Sequence, residues 1–363
     1  MSKHKKTIAI AALAAAVAGT AIAEDRVVYI YNWSDYIGPD TLEDFTEATG
    51  IEVVYDVFDS NDVLEAKVLS GQTGYDLVVP TTNYMARQIQ AGAYQKLDKS
   101  KLTNYDNLDM ELMARLENFD EGNEYSVPYQ WGTNGIGYNV GKIQEILGDD
   151  APVGSWDLVF DPQYASQLAE CGITFLDSGN EIFPLILQYM GRDPYSRSVA
   201  DYRAALNELN KVRPYIQYFH SSRYISDLAN GEVCVSIGWS GDVFQAMWRA
   251  EEAENDVSVD YFIPEEGTVL WSDMMVIPAD ARNVEEAHEF INFVLEPEVA
   301  AGITNYVWYG SPVEAANPYI DPEILENPGI YPPEGTELFT NEILPNSIMR
   351  EITRSWTRFK SGS

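Results

Sequence analysis

Val27-Val-Tyr-Ile-Tyr31, Pro39 to Ala48, Ile51 to Phe58, a stretch carrying Val63, Leu64, Val68 and Leu69, and Tyr75-Asp-Leu-Val-Val-Pro80 form the segment that decides the fold. The first and third pieces are rich in β-branched and aromatic residues, which fit a pleated strand. The second reads as a helix stopped by Gly50. Ser60 or Asn61 can cap the next helix by accepting a bond from one of its free N–H groups, and Gly71 and Gly74 end it. Residues 75–80, with Leu77, Val78 and Val79 at their centre, read as a buried strand. Strand, helix, strand, helix, strand predicts a parallel sheet, because parallel neighbours need a crossover between them. In such sheets the ligand crevice lies beyond the carboxyl ends of the strands. Here those ends are Asn32 to Tyr36 and Pro80 to Asn83, both polar and aromatic.

Outward from this segment, a second α/β region is expected from Gly132-Thr-Asn-Gly-Ile-Gly-Tyr-Asn139. Its strands are predicted at Ile173 to Leu176 and Val233 to Gly238, ending in Asp177 to Glu181 and Trp239 to Asp242. Further strands are expected at Val257 to Pro264 and Thr268 to Ile277. Val284 to Leu295 reads as an amphipathic helix with Ala287, Ile291 and Val294 on one face. Pro312 to Pro333 reads mostly as loop and Glu337 to Phe359 as a closing helical segment. The chain is too long for one hydrophobic core, so two domains are expected. No Pro/Ser-rich linker or repeat divides them, which implies several short crossings and a hinge rather than a tether.

Lys3, Lys5 and Lys6, the apolar run Thr7 to Thr20, and Ala21-Ile22-Ala23 have the pattern of a secretory leader, predicted to be removed after residue 23. No later stretch is long and uncharged enough to cross a bilayer, so a soluble periplasmic protein is expected. The chain has 23 basic and 57 acidic residues; loss of three leader lysines deepens the net charge from −34 to −37. Such a surface repels nucleic acid. The charge names no ligand, since it equally suits plain solubility. Cys171 and Cys234 are the only cysteines, and an oxidising compartment makes one disulfide the natural reading. His220 and His288 are the only histidines beyond the leader, in no metal-ligand spacing, so neither a metal nor another cofactor is expected.

Three segments pair an aromatic with a carboxylate at expected strand ends: Trp33-Ser34-Asp35-Tyr36, Trp239-Ser240-Gly241-Asp242 and Trp271-Ser272-Asp273. A cationic amine needs an acid to neutralise it, and an aromatic face stabilises it by roughly 0.5 to 2 kcal/mol while excluding water. Methylene groups between two amines need flat apolar walls, so one site type serves both. Each residue also has a plainer reading. A single Trp is usually core, Asp35 or Asp242 can cap a following helix, and Glu181 can complement a helix dipole. Gly135-Ile-Gly137 lacks the rest of a dinucleotide fingerprint, and Gly238-Trp-Ser-Gly-Asp242 fails the esterase elbow. Paired acids beside aromatic platforms also suit an exported glycoside hydrolase or a sugar-binding protein.

These segments, with Asn305-Tyr-Val-Trp-Tyr309 and Pro128-Tyr-Gln-Trp-Gly-Thr-Asn-Gly-Ile-Gly-Tyr-Asn139, resemble the putrescine/spermidine-binding proteins of ABC-type polyamine importers over nearly the whole mature chain. The resemblance implies an α/β, two-lobed type II periplasmic binding protein fold. Each lobe would be a mixed, mainly parallel sheet flanked by helices, with the ligand between the lobes. It implies residues 24–130 and 258–310 in one lobe, 131–257 in the other, and 311–363 packing mainly on the second. It implies an aromatic box of Trp33, Tyr36, Trp239, Trp271 and Tyr309. Asp35 and Asp273 would hold one ammonium, Glu181 and Asp242 the other, and Ser34 and Thr81 would add hydrogen bonds. It also pairs Cys171 with Cys234. The implied activity is capture and delivery to a membrane permease by a monomer that is not an enzyme. In this family Trp271 resembles the spermidine type and Ser34 the putrescine type.

Overall fold

The structure is a computed structural model that describes residues 26–362; the expected leader lies outside the described residues. Among the described residues there are eleven strands: β1 (Val27–Trp33), β2 (Glu52–Phe58), β3 (Leu77–Val78), β4 (Tyr94–Gln95), β5 (Ser126–Asn139), β6 (Ile173–Phe175), β7 (Ile216–Phe219), β8 (Val235–Trp239), β9 (Val259–Phe262), β10 (Thr268–Pro278) and β11 (Leu338–Thr340). The main path runs β2-β1-β3-β10-β5-β8-β6-β7. β1 pairs in parallel with β2 and β3, as the βαβαβ reading predicts. β6 pairs in parallel with β7 and β8. The antiparallel strands β5 and β10 join these two parallel groups.

β5 explains why no linker is visible in the sequence. Ser126 to Thr133 pair with β10, whereas Asn134 to Asn139 pair with β8 and β9. One strand therefore serves both sheets, and the chain passes between lobes inside regular structure. Gly132 lies at the changeover, where a Cβ would come within 2.9 Å of Ser240, Trp271 and Tyr309. Only glycine lets these three close on the backbone.

Several expected boundaries shift. The Tyr75–Pro80 strand contracts to two residues because Asp76 turns away to cap a loop: its carboxylate accepts from the backbone N–H groups of Tyr29, Arg282 and Asn283. Trp271 and Asp273 lie inside β10 rather than at a strand end. They reach the interlobe space because β10, like β5, runs across it. The closing segment is a short strand, β11, and a helix only at Asn346–Ser361. The expected 312–333 loop contains short helical turns at Glu314–Tyr319 and Pro322–Leu325. The first of these turns packs on the Pro297–Val307 helix. The terminal helix packs on the Gly179–Tyr189 and Val199–Val212 helices.

Cys171 and Cys234 form the expected disulfide, with a Cα–Cα distance of 5.6 Å. It ties the start of β6 to the start of β8 across 63 residues of sequence. Closing a loop of that length restricts the unfolded chain by about 4 kcal/mol in the entropy account. Replacing both cysteines with serine should lower the unfolding free energy by about 2–4 kcal/mol in urea melts. A loss below about 1 kcal/mol would mean the unfolded chain does not feel the constraint.

Candidate ligand-binding cleft

Between the two sheet regions lies a cleft of about 700 Å³, measured with its open mouth. Strand ends and the first turns of helices line it, as expected where parallel strands point their carboxyl ends at a common space. Trp33 closes β1, its indole N–H donating to the Val79 carbonyl and its ring resting 4.6 Å from Phe58. Trp239 closes β8 and meets Trp33 edge-on at 5.5 Å from the other side. Tyr36, Tyr309 and Trp271 continue the wall, with centroids 5.0 and 5.4 Å apart in sequence. Tyr309 follows Trp308, whose left-handed backbone (φ 58°) ends the Pro297–Val307 helix and turns the tyrosine inward. Its ring lies flat on Gly241, where any Cβ would sit 2.4 Å away.

Three carboxylates face this space. Asp273 sits at a bulge in β10, and such irregularities re-aim side chains. Its Oδ1 accepts from the Thr81 hydroxyl at 2.6 Å. Thr81 itself is fixed by Asn61, which donates Nδ2–H to its Oγ1 and accepts its backbone N–H. Asp242, in the first turn of the Ser240–Glu252 helix, accepts from the Tyr309 phenol at 2.7 Å and the Tyr224 phenol at 2.8 Å. Glu181, in the first turn of the Gly179–Tyr189 helix, accepts from Asn134 at 2.9 Å and the Trp239 indole at 2.6 Å. No lysine or arginine among the described residues pairs with any of these acids.

Burial therefore dominates their protonation. It pushes Asp273 up to about 7 against the downward pull of the Thr81 hydrogen bond. Asp242 rises likewise to about 7, although both phenols favour its charged form. Glu181 is raised too, again chiefly by burial. Three buried polar atoms in the same lining lack a partner: Asn83 Oδ1, Asn134 Oδ1 and the Trp271 indole N–H. Buried polar groups are nearly always satisfied in a finished structure, so acids and unpaired atoms together describe a space complementary to a cationic, hydrogen-bonding guest.

The structure brings together Trp33, Ser34, Tyr36, Thr81, Glu181, Trp239, Asp242, Trp271, Asp273 and Tyr309 in the lining. Asp35 departs from the expectation. Its backbone is left-handed (φ 55°), its side chain is 41% exposed, and its carboxylate pairs with Arg249 at 2.8 Å. The side chain is not part of the cleft lining and pairs across the seam between the end of β1 and the Ser240–Glu252 helix. Nor does it cap the Thr41–Thr49 helix. Thr81 spends its hydroxyl on Asp273, so it acts through that acid. Burial and the charges of both Asp273 and Asp242 raise the Tyr36 phenol. The lining also holds Asn83, Tyr84, Asn134, Asn180, Tyr195 and Asn341. Asn134 lies in a glycine-rich quoted stretch and Asn180 precedes Glu181, so adjacency could have found those two.

Residues 40–332 match the family of bacterial extracellular solute-binding proteins. The chain belongs to that family. Over its whole length it is 53% identical to all of a putrescine-binding periplasmic protein of Pseudomonas aeruginosa strain UCBPP-PA14. It is 50% identical to a putrescine-binding periplasmic protein of Escherichia coli K12, with 97% of this chain and 96% of that one covered. Among solved structures, a spermidine/putrescine ABC transporter substrate-binding protein of Streptococcus pneumoniae superposes with a TM-score of 0.75 at 30% identity. That match covers 93% of this chain and 99% of the other. The architecture is the two-lobed type II periplasmic binding protein fold. None of the helices among the described residues is long and apolar enough to cross a membrane.

Proposed function

We propose that this solute-binding protein captures a short aliphatic polyamine, putrescine or spermidine, in the cleft and delivers it to the permease of an ABC importer. The observation that carries the reading is the set of three cleft carboxylates without a cationic partner, Asp242 and Asp273 buried and Glu181 half-buried, set between aromatic faces. A buried, unpaired charge costs several kcal/mol, and a ligand bearing two ammonium groups removes that cost while its methylenes lie against Trp33, Trp239, Trp271 and Tyr309. Asp242 and Asp273 take one ammonium beside Tyr36; Glu181 takes the other beside Trp239. The names of the full-length relatives support the same ligand class.

Ligand bridging the lobes stabilises the closed form by its differential affinity for it. The permease then reads the closed shape. The protein works as an exported monomer in the periplasm, with residues 1–23 as its leader. The relatives are binding proteins, which weighs against the glycan-cleaving alternative. Thermal melting tests the reading: putrescine or spermidine should raise the melting temperature progressively with concentration, and 1,4-butanediol should not. An equal shift with the diol would sink it.

The Asp35–Arg249 pair belongs to closure rather than to ligand contact. Both side chains are more than a third exposed, so water and salt screen the pair and hold its worth to roughly 0–1 kcal/mol. Asp35→Asn should therefore speed ligand release less than about five-fold. A loss of a hundredfold in affinity would return Asp35 to the ligand's own contacts.

A further inference from the structure

We infer that Tyr84 is a positioning residue for capture, its hydroxyl joining the two lobes beside Glu181 and slowing ligand release. The inference rests on the polyamine reading above. Tyr84 stands in the first turn of the Thr82–Gln90 helix, after β3, and is 3% exposed. Its phenol donates to Asp62 Oδ1 at 3.1 Å within its own lobe. The same oxygen accepts from Asn180 Nδ2, on the opposite lobe and one residue before Glu181. The Arg87 guanidinium lies 4.4 Å over the ring, held in turn by Glu65. Ring and hydroxyl are thus aimed before any ligand arrives.

The hydrogen bonds on Glu181 come from Asn134 and Trp239, both on the β8 side of the molecule. The Tyr84–Asn180 contact reaches the same helix turn from the other side. It exists only while the lobes are together, because opening carries residues 84 and 180 apart and returns the Asn180 amide to water. A bond made only in the closed state lengthens that state's lifetime and leaves encounter unchanged. Burial drives the phenol's pKa well upward, so it remains a neutral donor throughout the range in which the cleft acids titrate.

Stopped-flow tryptophan fluorescence with putrescine tests this. Tyr84→Phe keeps the ring and its arginine contact, and should raise the dissociation rate constant roughly three- to ten-fold with the association rate constant unchanged. Asn180→Ala should do the same, and the double variant should be no faster than either single one, because all three lack one shared bond. Multiplying effects in the double variant, or a Tyr84→Phe dissociation rate equal to wild type, would overturn the inference. If the wild-type protein bound no amine, the polyamine reading would fall. Spin-label distances between the lobes of the ligand-free protein would then decide the latch: a wider distribution in Tyr84→Phe supports it, and an identical one removes it.

Discussion

Asp273→Asn should weaken putrescine binding by at least about a hundredfold, the largest effect of any single substitution in the cleft. Removing one partner of a buried charge pair typically costs 3–5 kcal/mol, because the other charge is left without compensation. Here the charge left over is the ligand's ammonium, enclosed by Tyr36 and Trp271. Asparagine keeps the shape of the side chain and an oxygen for the Thr81 hydroxyl, so the fold has no reason to fail. The ligand-free variant should be at least as stable as wild type at neutral pH, since a buried, unpaired carboxylate has been removed. That pairing of lost affinity with kept or gained stability separates a ligand-binding acid from a structural one. Calorimetry and urea melts on the same preparation read both. Lost stability with retained affinity would assign Asp273 to the scaffold.

A steep pH dependence is the second large effect. Asp242 faces Tyr309, Tyr224, Asp35 and Arg249; Asp273 faces Thr81, Tyr36 and Glu181. Burial outweighs the hydrogen bonds at both and holds each near 7, against an ordinary value of 3.8. In the ligand-free protein the folded state therefore holds protons that the unfolded chain has released. Stability contributed in this way is complete below the ordinary value and is lost as pH rises through about 7. Ligand binding runs the other way, because an ammonium favours the charged acid. Affinity for putrescine should rise between pH 5 and pH 8 by on the order of a hundredfold for each acid that must lose its proton. Binding at pH 6 should release protons, seen as a binding enthalpy that changes with the ionisation enthalpy of the buffer. A flat affinity profile with no proton release would mean both aspartates are already charged in the empty cleft.

The parallel core was legible because its signals are local. Val27 to Tyr31 and Ile51 to Phe58 carry strand chemistry, Gly50 ends the intervening helix in a left-handed turn, and Ser60 caps the next through the Val63 N–H. The aromatic–acid pairs were legible for the same reason, since amine recognition requires both residue types close together. What could not be read is what depends on long-range placement. Asp35 looks like Asp242 and Asp273 in sequence, yet a positive φ turns it outward to Arg249. Trp271 and Asp273 read in sequence as the end of a strand, yet β10 continues past them as a lobe-crossing strand. Thr81 gives no hint that its hydroxyl belongs to a residue 192 positions away. Asn341 enters the lining from the C-terminal segment, where nothing local marks it. Tyr84 resembles any tyrosine at the start of a helix until Asn180 is brought against it.

Titration calorimetry of the mature protein, stripped of any co-purified ligand, against putrescine, spermidine and 1,4-butanediol tests the central claim most directly. The diol keeps the four-carbon chain and two polar ends of putrescine but carries no charge, so it isolates the role assigned to Asp242, Asp273 and Glu181. Saturable one-to-one binding of at least one amine, with none for the diol, is the result expected from three cleft acids that lack a cation. Failure of both amines to bind, or binding of the diol as tightly as putrescine, would contradict the claim that this cleft exists to neutralise a polyamine.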